Sequence, residues 1–323
     1  MGPGRTVRSM ASSTPSSGDP RALGPDPHPM PDARRVDVGG VSTRYYEAGT
    51  GEPLVLVYGG NFGTADSASS AYTWNLNIAA LSRRFRVIAV DKLGQGGTGN
   101  PLRDEDYTMR AVVDHLAGFM QALQLGPSHL VGHSRGGYAV TRLALEHHAL
   151  VRSLTIVSSG TLSPGVGTNE VILAEPPHPR GTADCVRWVY ENYSHSPAVV
   201  TEHWVQQVME TLHTDKYREA VRKMGPEGLG ERVFLPELAR QKRETLQWLR
   251  EGRLQRPVQV IWGFNDRTAV LERGVELFQM LAATERSAQL HVINAAGHFS
   301  FREHPRQFNA LLTRFAALHP SGT

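Results

Sequence analysis

The stretch GHSRGG, residues 132–137, holds a serine between two glycines, Gly132 and Gly136. A serine hydroxyl is a poor nucleophile at neutral pH. It becomes reactive when a base lies within hydrogen-bond reach and a third group orients that base. The Gly-x-Ser-x-Gly pattern places such a hydroxyl at the tip of a sharp strand-to-helix turn, where larger neighbours would clash. The pattern predicts that Ser134 is a nucleophile; the alternative is a plain tight turn.

An acid and a base follow in the order that such a nucleophile requires. Asp266 comes directly after the apolar run VQVIW, and His298 comes directly after LHVINAAG. In folds with this turn the chain order is serine, acid, histidine. We therefore predict that Asp266 orients His298 and that His298 is the base for Ser134. Asp266 could instead cap a helix that begins near Thr268, and most other histidines, including His133, are expected to be ordinary polar residues.

Attack on a carbonyl creates an oxyanion, which backbone N–H groups stabilise. Arg135 follows the nucleophile, so its N–H is predicted to be one donor. The turn YGGNFG, residues 58–63, is predicted to hold the other donor at Gly60, where the chain can approach the substrate closely. Asn61 and Phe62 either line the substrate pocket or belong to an ordinary turn.

The elements that position these residues alternate between strand and helix. Runs such as LVLVY and VQVIW are continuously apolar, as in parallel strands buried on both faces. The alternation predicts an α/β fold with a mostly parallel, doubly wound sheet. Strand-like runs cover 41–49, 53–60, 85–94, 128–134, 151–160, 256–264 and 288–297, and helix-like stretches cover 108–124, 135–147, 270–283 and 304–318.

One long segment interrupts this alternation. Residues 161–253 contain several helical patterns and no convincing core strand. We predict a helical lid, inserted after the strand ending near Ser159, over the sheet edge where ligands bind in such folds. Residues 34–160 and 254–323 would form the core. Residues 1–33, rich in Pro, Gly and Ser, are predicted to be a disordered tail.

Composition narrows the class of protein. The chain has 323 residues, of which 40% are hydrophobic and 20% charged, as in soluble globular proteins. No apolar run approaches a membrane-spanning length, and residues 1–33 lack the apolar core of a secretory signal, so a cytoplasmic protein is expected. A net charge of +3 without a basic stripe argues against nucleic-acid binding. Cys185 is the single cysteine, which rules out an internal disulfide.

Together these motifs resemble the α/β-hydrolase superfamily over roughly residues 36–318. VYGGNFG is similar to its oxyanion loop, with Tyr58 in place of the usual histidine, and DKLGQGGTGNP (91–101) to its Asp-x-x-Gly-x-Gly loop. GHSRGG, WGFNDRTA and AGHFSFREHP are similar to its nucleophile, acid and histidine loops. Within the superfamily the chain is most similar to the meta-cleavage-product hydrolases, through its long oxyanion loop followed by YTWNLNI and the lid segment RWVYENYSHSPAVVTEHW.

The resemblance implies a hydrolase that cuts a C–C bond in a vinylogous 1,5-diketone made by aromatic ring opening. It implies no metal and no organic cofactor. The His–Ser pair would first help to ketonise the dienol, and carbonyl attack or water addition would then lead to cleavage. The expected partner is a small apolar or aromatic-derived carbonyl compound rather than a nucleic acid or a membrane, and a homodimer is one candidate assembly.

The candidate pocket departs from the family pattern. The family's lid carries an arginine for the substrate carboxylate shortly after a Thr-Glu pair, but no arginine follows Thr201-Glu202 closely here. Arg187 or Arg135 is the candidate replacement. The pocket is predicted to include side chains that could equally be core or capping residues: Asn61, Phe62, Trp74, Asn75, Arg187, Trp188, Trp204 and Phe299, the last standing where the family usually has tryptophan.

Two other classes of activity remain open. The same Ser-Asp-His set would serve an esterase or lactonase with a bulky apolar acyl pocket. Cofactor-free dioxygenases and some natural-product cyclases use the same scaffold without hydrolysis. Trapping of an acyl-enzyme by a fluorophosphonate would favour either hydrolase, whereas oxygen consumption with a heteroaromatic substrate would favour a dioxygenase.

Overall fold

The computed structural model describes residues 23–165 and 173–320. The strands are β1 (Ala33–Val38), β2 (Val41–Ala48), β3 (Glu52–Val57), β4 (Phe85–Val90), β5 (Ser128–His133), β6 (Val151–Val157), β7 (Val258–Gly263) and β8 (Gln289–Ile293). They form an eight-stranded sheet in the order β1-β2-β4-β3-β5-β6-β7-β8. β1 and β2 run antiparallel to their neighbours, and all other pairs are parallel. The predicted fold class is confirmed.

Helices connect the strands at nearly the predicted positions. They are α1 (Asn75–Leu81), α2 (Met109–Ala122), α3 (Arg135–Glu146), α4 (Ala183–Tyr193), α5 (Glu202–Leu212), α6 (Asp215–Met224), α7 (Leu235–Arg250), α8 (Leu271–Ala282), α9 (Ser300–Glu303) and α10 (Pro305–Ala317). Their apolar residues recur at helical spacing, and side chains cap several of them. Thr108, for example, accepts a hydrogen bond from the Ala111 N–H at 3.1 Å before α2. The four helices predicted at 108–124, 135–147, 270–283 and 304–318 are confirmed within a few residues.

The sheet is covered on both faces, which explains its continuously apolar strands. Successive residues of β3 point to opposite sides, so Val55 and Val57 join one apolar cluster while Leu54 and Leu56 join the other. The first cluster is completed by α2, α3, α7 and α8, and the second by α1, α4, α5 and α10. The strand ends that carry the candidate loops are therefore held from both sides.

Between β6 and β7 the described chain forms the helices α4 to α7. They occupy the stretch predicted to be a lid, of which residues 166–172 lie outside the described part. A division of the chain into core and lid stays a prediction. Within the described ranges, no helix combines the length and the apolar character needed to cross a membrane.

The N-terminal segment contacts the body of the protein from residue 23 onward. Asp26 accepts a hydrogen bond from the Tyr72 hydroxyl at 2.5 Å. The carbonyl of His28 accepts a hydrogen bond from Asn75 Nδ2, at the start of α1, at 3.0 Å. Polar groups of Asp26 and His28 thus pair with side chains distant in sequence, while a disordered tail over residues 1–33 stays a prediction. Residues 1–22 lie outside the described ranges.

Candidate active site

Ser134 lies at the junction of β5 and α3 in a strained backbone conformation. Its φ is 53° and its ψ is −124°, a region that costs a non-glycine residue roughly 1–3 kcal/mol. Two hydrogen bonds hold the turn: Ser134 N–H donates to the Val157 carbonyl at 2.8 Å, and Ser159 Oγ donates to the Ser134 carbonyl at 2.6 Å. The serine side chain thus stands at the tip of a turn fixed by the neighbouring strand.

The flanking glycines are required by close backbone packing. A Cβ on Gly132 would lie 2.4 Å from the Gly136 carbonyl oxygen, and a Cβ on Gly136 would lie 2.3 Å from the Val57 carbonyl oxygen. Real Cβ atoms do not approach backbone oxygens so closely. The spacing that identified Ser134 in the sequence therefore has a steric cause in the structure.

Replacing Gly132 with alanine is expected to destabilise the protein by about 1–3 kcal/mol, since the added methyl group overpacks the turn. Gly126→Ala is the matched control, because a Cβ there meets nothing within 4 Å. It should change the free energy of unfolding by less than about 0.5 kcal/mol. Denaturant titration of both variants gives the comparison, and equal unfolding midpoints would contradict the close packing of the turn.

Asp266 and His298 form a buried pair. His298 Nδ1 lies 2.7 Å from Asp266 Oδ2, and both residues are almost fully buried. The other carboxylate oxygen, Oδ1, accepts hydrogen bonds from Thr268 N–H at 3.0 Å, Thr268 Oγ at 2.8 Å and Ala269 N–H at 2.8 Å. The structure does not make Asp266 the cap of a helix near Thr268, because the next helix begins at Leu271 with Val270 as its N-cap. Asp266 instead holds the turn at Thr268 and Ala269 while it contacts His298. The carboxylate fixes the histidine ring by its Nδ1 edge.

The histidine loop is held by the chain before and after it. His298 N–H donates to the Tyr193 carbonyl at 2.8 Å, and the two rings stack with centroids 5.0 Å apart. Gly297 N–H donates to Glu303 at 2.6 Å, and a Cβ on Gly297 would lie 2.5 Å from the Tyr193 carbonyl oxygen. The C-terminal end of α4 thus sets the position of His298.

Ser134 and His298 line one cavity of about 40 Å³. A cavity of this volume is far smaller than the roughly 300–1,000 Å³ of small-molecule pockets. A substrate larger than a few atoms therefore requires the cavity to enlarge. Besides Ser134 and His298, the described lining consists of Gly59, Gly60, Ser67, Ser69, Thr73, His133, Tyr190, Tyr193 and Phe299.

The predicted oxyanion loop lies against a buried lysine. Gly60 has a φ of 78°, and its carbonyl accepts a hydrogen bond from Lys92 Nζ at 3.1 Å. Burial and the nearby charge of Arg135 hold the pKa of the Lys92 amine well below its usual range. Gly60 lines the cavity, and Arg135 begins α3, whose first N–H groups have no partner within the helix. Their role as oxyanion donors stays a prediction.

Of the side chains predicted for the pocket, Phe299 lines the described cavity. Trp204 lies one layer behind, with its ring centroid 5.0 Å from that of Phe299 and its face on the Arg302 guanidinium at 3.8 Å. Trp188 lies in the same helix as two lining tyrosines and is partly buried against the second apolar cluster. Trp204 thus packs behind Phe299, and Trp188 does not line the described cavity.

The remaining residues predicted for the pocket do not line the described cavity, and their role in the pocket stays a prediction. Phe62 packs with Tyr107 and Phe234 in the first apolar cluster, and Trp74 is buried against Phe301 at 4.1 Å. Asn75 bonds to His28 and Arg302, Arg187 pairs with Glu202 at 2.6 Å, and Asn61 is a loop residue whose Oδ1 is buried without a partner in the described ranges. Packing against distant elements, which the sequence does not display, set these positions.

Sequence reasoning missed Tyr190, Tyr193, Ser69 and Lys92. The two tyrosines lie three residues apart in WVYENY, a spacing that places them on one helix face. That spacing was the available signal, but it does not say which face meets the cavity. Nothing in the sequence distinguishes Lys92 from a surface lysine.

A family model described as alpha/beta hydrolase fold matches residues 52–305. The chain is 29% identical to 2-hydroxy-6-oxo-6-(2'-aminophenyl)hexa-2,4-dienoic acid hydrolase of Metapseudomonas resinovorans, covering 87% of this chain and 89% of the relative. It is 28% identical to 2-hydroxy-6-oxo-2,4-heptadienoate hydrolase of Pseudomonas putida, covering 88% and 96%. A solved meta-cleavage product hydrolase from Pseudomonas fluorescens IP01 superposes with a TM-score of 0.70 at 25% identity, covering 87% and 96%.

Proposed function

Since this chain belongs to the alpha/beta hydrolase fold family, we propose that it is a serine hydrolase that cleaves a C–C bond in a 2-hydroxy-6-oxo-dienoate or a related vinylogous diketone. The observation that carries the proposal is the 2.7 Å His298–Asp266 pair beside the cavity that Ser134 also lines. The names of the relatives, which specify 2-hydroxy-6-oxo-dienoates, support the substrate class. The proposal includes the cytoplasmic location predicted from the sequence.

The carbon leaving group requires a preparatory step. A dienol becomes a 1,5-diketone when the proton of its enol oxygen moves to the chain carbon beside the distal carbonyl. The new ketone is conjugated with a C=C bond that adjoins the C–C bond to be broken. The ketone can therefore accept the electron pair of that C–C bond. Within the site, His298 is the group proposed to carry this proton, because its Nδ1 edge is held by Asp266.

Cleavage then follows acyl-transfer chemistry. His298 Nε2 takes the Ser134 proton while Oγ attacks the carbonyl carbon, and the carbonyl electron pair moves onto oxygen, where the Gly60 and Arg135 N–H groups are proposed to stabilise it. When the carbonyl re-forms, the C–C bond breaks and its electron pair leaves with the carbon chain, which takes a proton from His298. Water activated by His298 hydrolyses the ester on Ser134 and releases a carboxylic acid.

The walls of the cavity fit an aromatic-derived substrate. Tyr190, Tyr193 and Phe299 line it, and α4 carries the two tyrosines. We propose that residues 161–253 act as a lid whose movement enlarges the cavity of about 40 Å³ to admit the substrate.

A second candidate is an esterase that acts on a bulky apolar ester. One observation favours it: the described lining of the cavity contains no arginine or lysine to pair with a substrate carboxylate. Arg187, considered for that role, pairs with Glu202, and the Arg135 guanidinium lies over the Phe234 ring at 5.5 Å.

Stopped-flow absorbance separates the two candidates. The enzyme is mixed with a coloured 2-hydroxy-6-oxo-dienoate and, in parallel, with p-nitrophenyl acetate and butyrate. Rapid loss of the dienol colour with weak ester turnover is the expected result. Ester turnover without dienol cleavage would assign the protein to the esterases. Turnover of neither, with Ser134 still labelled by a fluorophosphonate, would contradict both substrate classes and favour non-hydrolytic chemistry.

A further inference from the structure

His133, expected from the sequence to be an ordinary polar residue, lines the cavity beside the nucleophile. Its ring is almost fully buried, at 2% exposure. His133 Nε2 lies 3.0 Å from the backbone carbonyl oxygen of His298. A carbonyl oxygen can only accept a hydrogen bond, so Nε2 must carry the hydrogen. The Nε2 edge of the His133 ring therefore donates a hydrogen bond that supports the loop carrying His298, the proposed base.

The other edge of the ring is a hydrogen-bond acceptor. Burial, followed by the nearby charges of His298 and Lys92, holds the pKa of His133 well below its usual range, so the ring is neutral at neutral pH. With the hydrogen on Nε2, Nδ1 presents a bare lone pair. Among the residues that the structure describes, Nδ1 has no hydrogen-bond partner although it is buried. Leaving a buried acceptor unpaired destabilises the site, and a ligand that donates a hydrogen bond there would remove that cost.

Gly59 locates this acceptor relative to the nucleophile. A Cβ on Gly59 would lie 3.2 Å from His133 Nδ1 and 3.2 Å from Ser134 Oγ. The two atoms therefore border the same space, which any other residue at position 59 would fill. All three residues line the described cavity.

We propose that His133 Nδ1 accepts a hydrogen bond from a hydroxyl group of the substrate, the 2-hydroxyl if the substrate is a 2-hydroxy-6-oxo-dienoate. The inference rests on the proposed function and deepens it by naming a specificity residue. A neutral acceptor attracts a hydroxyl and repels a carbonyl or carboxylate oxygen. The site thus selects the enol form of the substrate over its ketone form at binding, and the hydroxyl turns from His133 Nδ1 towards His298 when its proton is transferred.

Two substitutions separate this role from support of His298. In His133→Asn, the side-chain Oδ1 is bonded directly to Cγ, as Nδ1 is in histidine. The acceptor is therefore kept, and the hydrogen bond to the His298 carbonyl is lost. In His133→Gln, the amide nitrogen reaches the position of Nε2, so the bond to the His298 carbonyl is kept and the acceptor is lost. Both variants are assayed with the coloured dienoate and with p-nitrophenyl butyrate, which has no hydroxyl.

The expected result is a change in substrate discrimination that only His133→Gln produces. Its kcat/KM for the dienoate should fall about tenfold relative to that for the ester, the size expected for one lost hydrogen bond. His133→Asn should keep the wild-type ratio, whatever common loss both substrates show. The ester assay also reports whether each variant is folded and has working machinery.

Three results would overturn the inference. Equal losses on both substrates in His133→Gln would assign His133 to the support of His298 alone. An unchanged ratio with full activity would mean that no substrate group uses Nδ1. Absence of dienoate turnover by the unmodified enzyme would overturn the proposed function and this inference with it, whereas dienoate turnover that His133→Gln leaves intact would overturn this inference alone.

Discussion

Ser134→Ala is expected to lower kcat for the dienoate and for p-nitrophenyl esters by at least about 10,000-fold, since removing one member of such a triad removes the covalent route as a whole. The serine hydroxyl lies in the turn between β5 and α3, and its side chain makes no cap bond to the helix. Fold stability should therefore be preserved. Stopped-flow kinetics gives the activity, and circular dichroism verifies the fold.

The matched control is Ser69→Ala, because Ser69 is another serine that lines the cavity. A fluorophosphonate should attach to the unmodified protein and to Ser69→Ala in a 1:1 ratio, and should leave Ser134→Ala unlabelled, as read by intact-protein mass spectrometry. Labelling of Ser134→Ala at the same rate, or retention of more than about 1% of turnover, would show that another residue is the nucleophile.

Asp266→Asn is expected to reduce kcat by about 1,000- to 10,000-fold with little loss of stability. An amide still offers an oxygen to Thr268 and Ala269, but it cannot stabilise an imidazolium at His298, and its NH₂ group favours the wrong histidine tautomer. Dienoate and ester turnover should fall together because both reactions use the same base.

Asp266→Ala provides the comparison for the structural role. It removes the partner of His298 and also the acceptor for two N–H groups and a hydroxyl. We expect a similar kinetic loss and an additional destabilisation of about 1–3 kcal/mol, from buried donors left unpaired. Measurement of kcat and of the free energy of unfolding for both variants separates the catalytic role of Asp266 from its structural role. If Asp266→Asn kept more than about a tenth of the activity, the carboxylate would be structural only.

Steric and periodic patterns made much of the fold predictable. Continuous apolar runs at β3 and β7 and helical spacing in α2 each follow from local backbone geometry. β1 was missed because its sequence, ARRVDV, is polar and mostly exposed at the sheet edge. Composition likewise does not show that Asp26, in the segment before β1, accepts a hydrogen bond from the Tyr72 hydroxyl.

The side chains that line the described cavity were harder to predict than the loops that carry the proposed triad. The residues expected to line the pocket were chosen for their chemistry. Trp74 and Asn75 lie at the start of α1. In the structure Trp74 faces Phe301 and Asn75 bonds to Arg302, both more than 200 residues away in sequence. Their neighbours depend on how the start of α1 packs against α9, and helical spacing in the sequence does not predict that packing.

The sequence by itself determined the α/β order and the loops that carry Ser134, Asp266 and His298. Each depends on interactions within a few residues, such as the glycines that the strained turn requires. Only the tertiary structure decided that His133 Nδ1 and Ser134 Oγ border the same space beside Gly59 and that Tyr190 and Tyr193 line the cavity. The physical reason is that a ring's two edges and a helix's faces are assigned by burial against partners distant in the chain. Those partners come together only when the sheet and the helices between β6 and β7 pack.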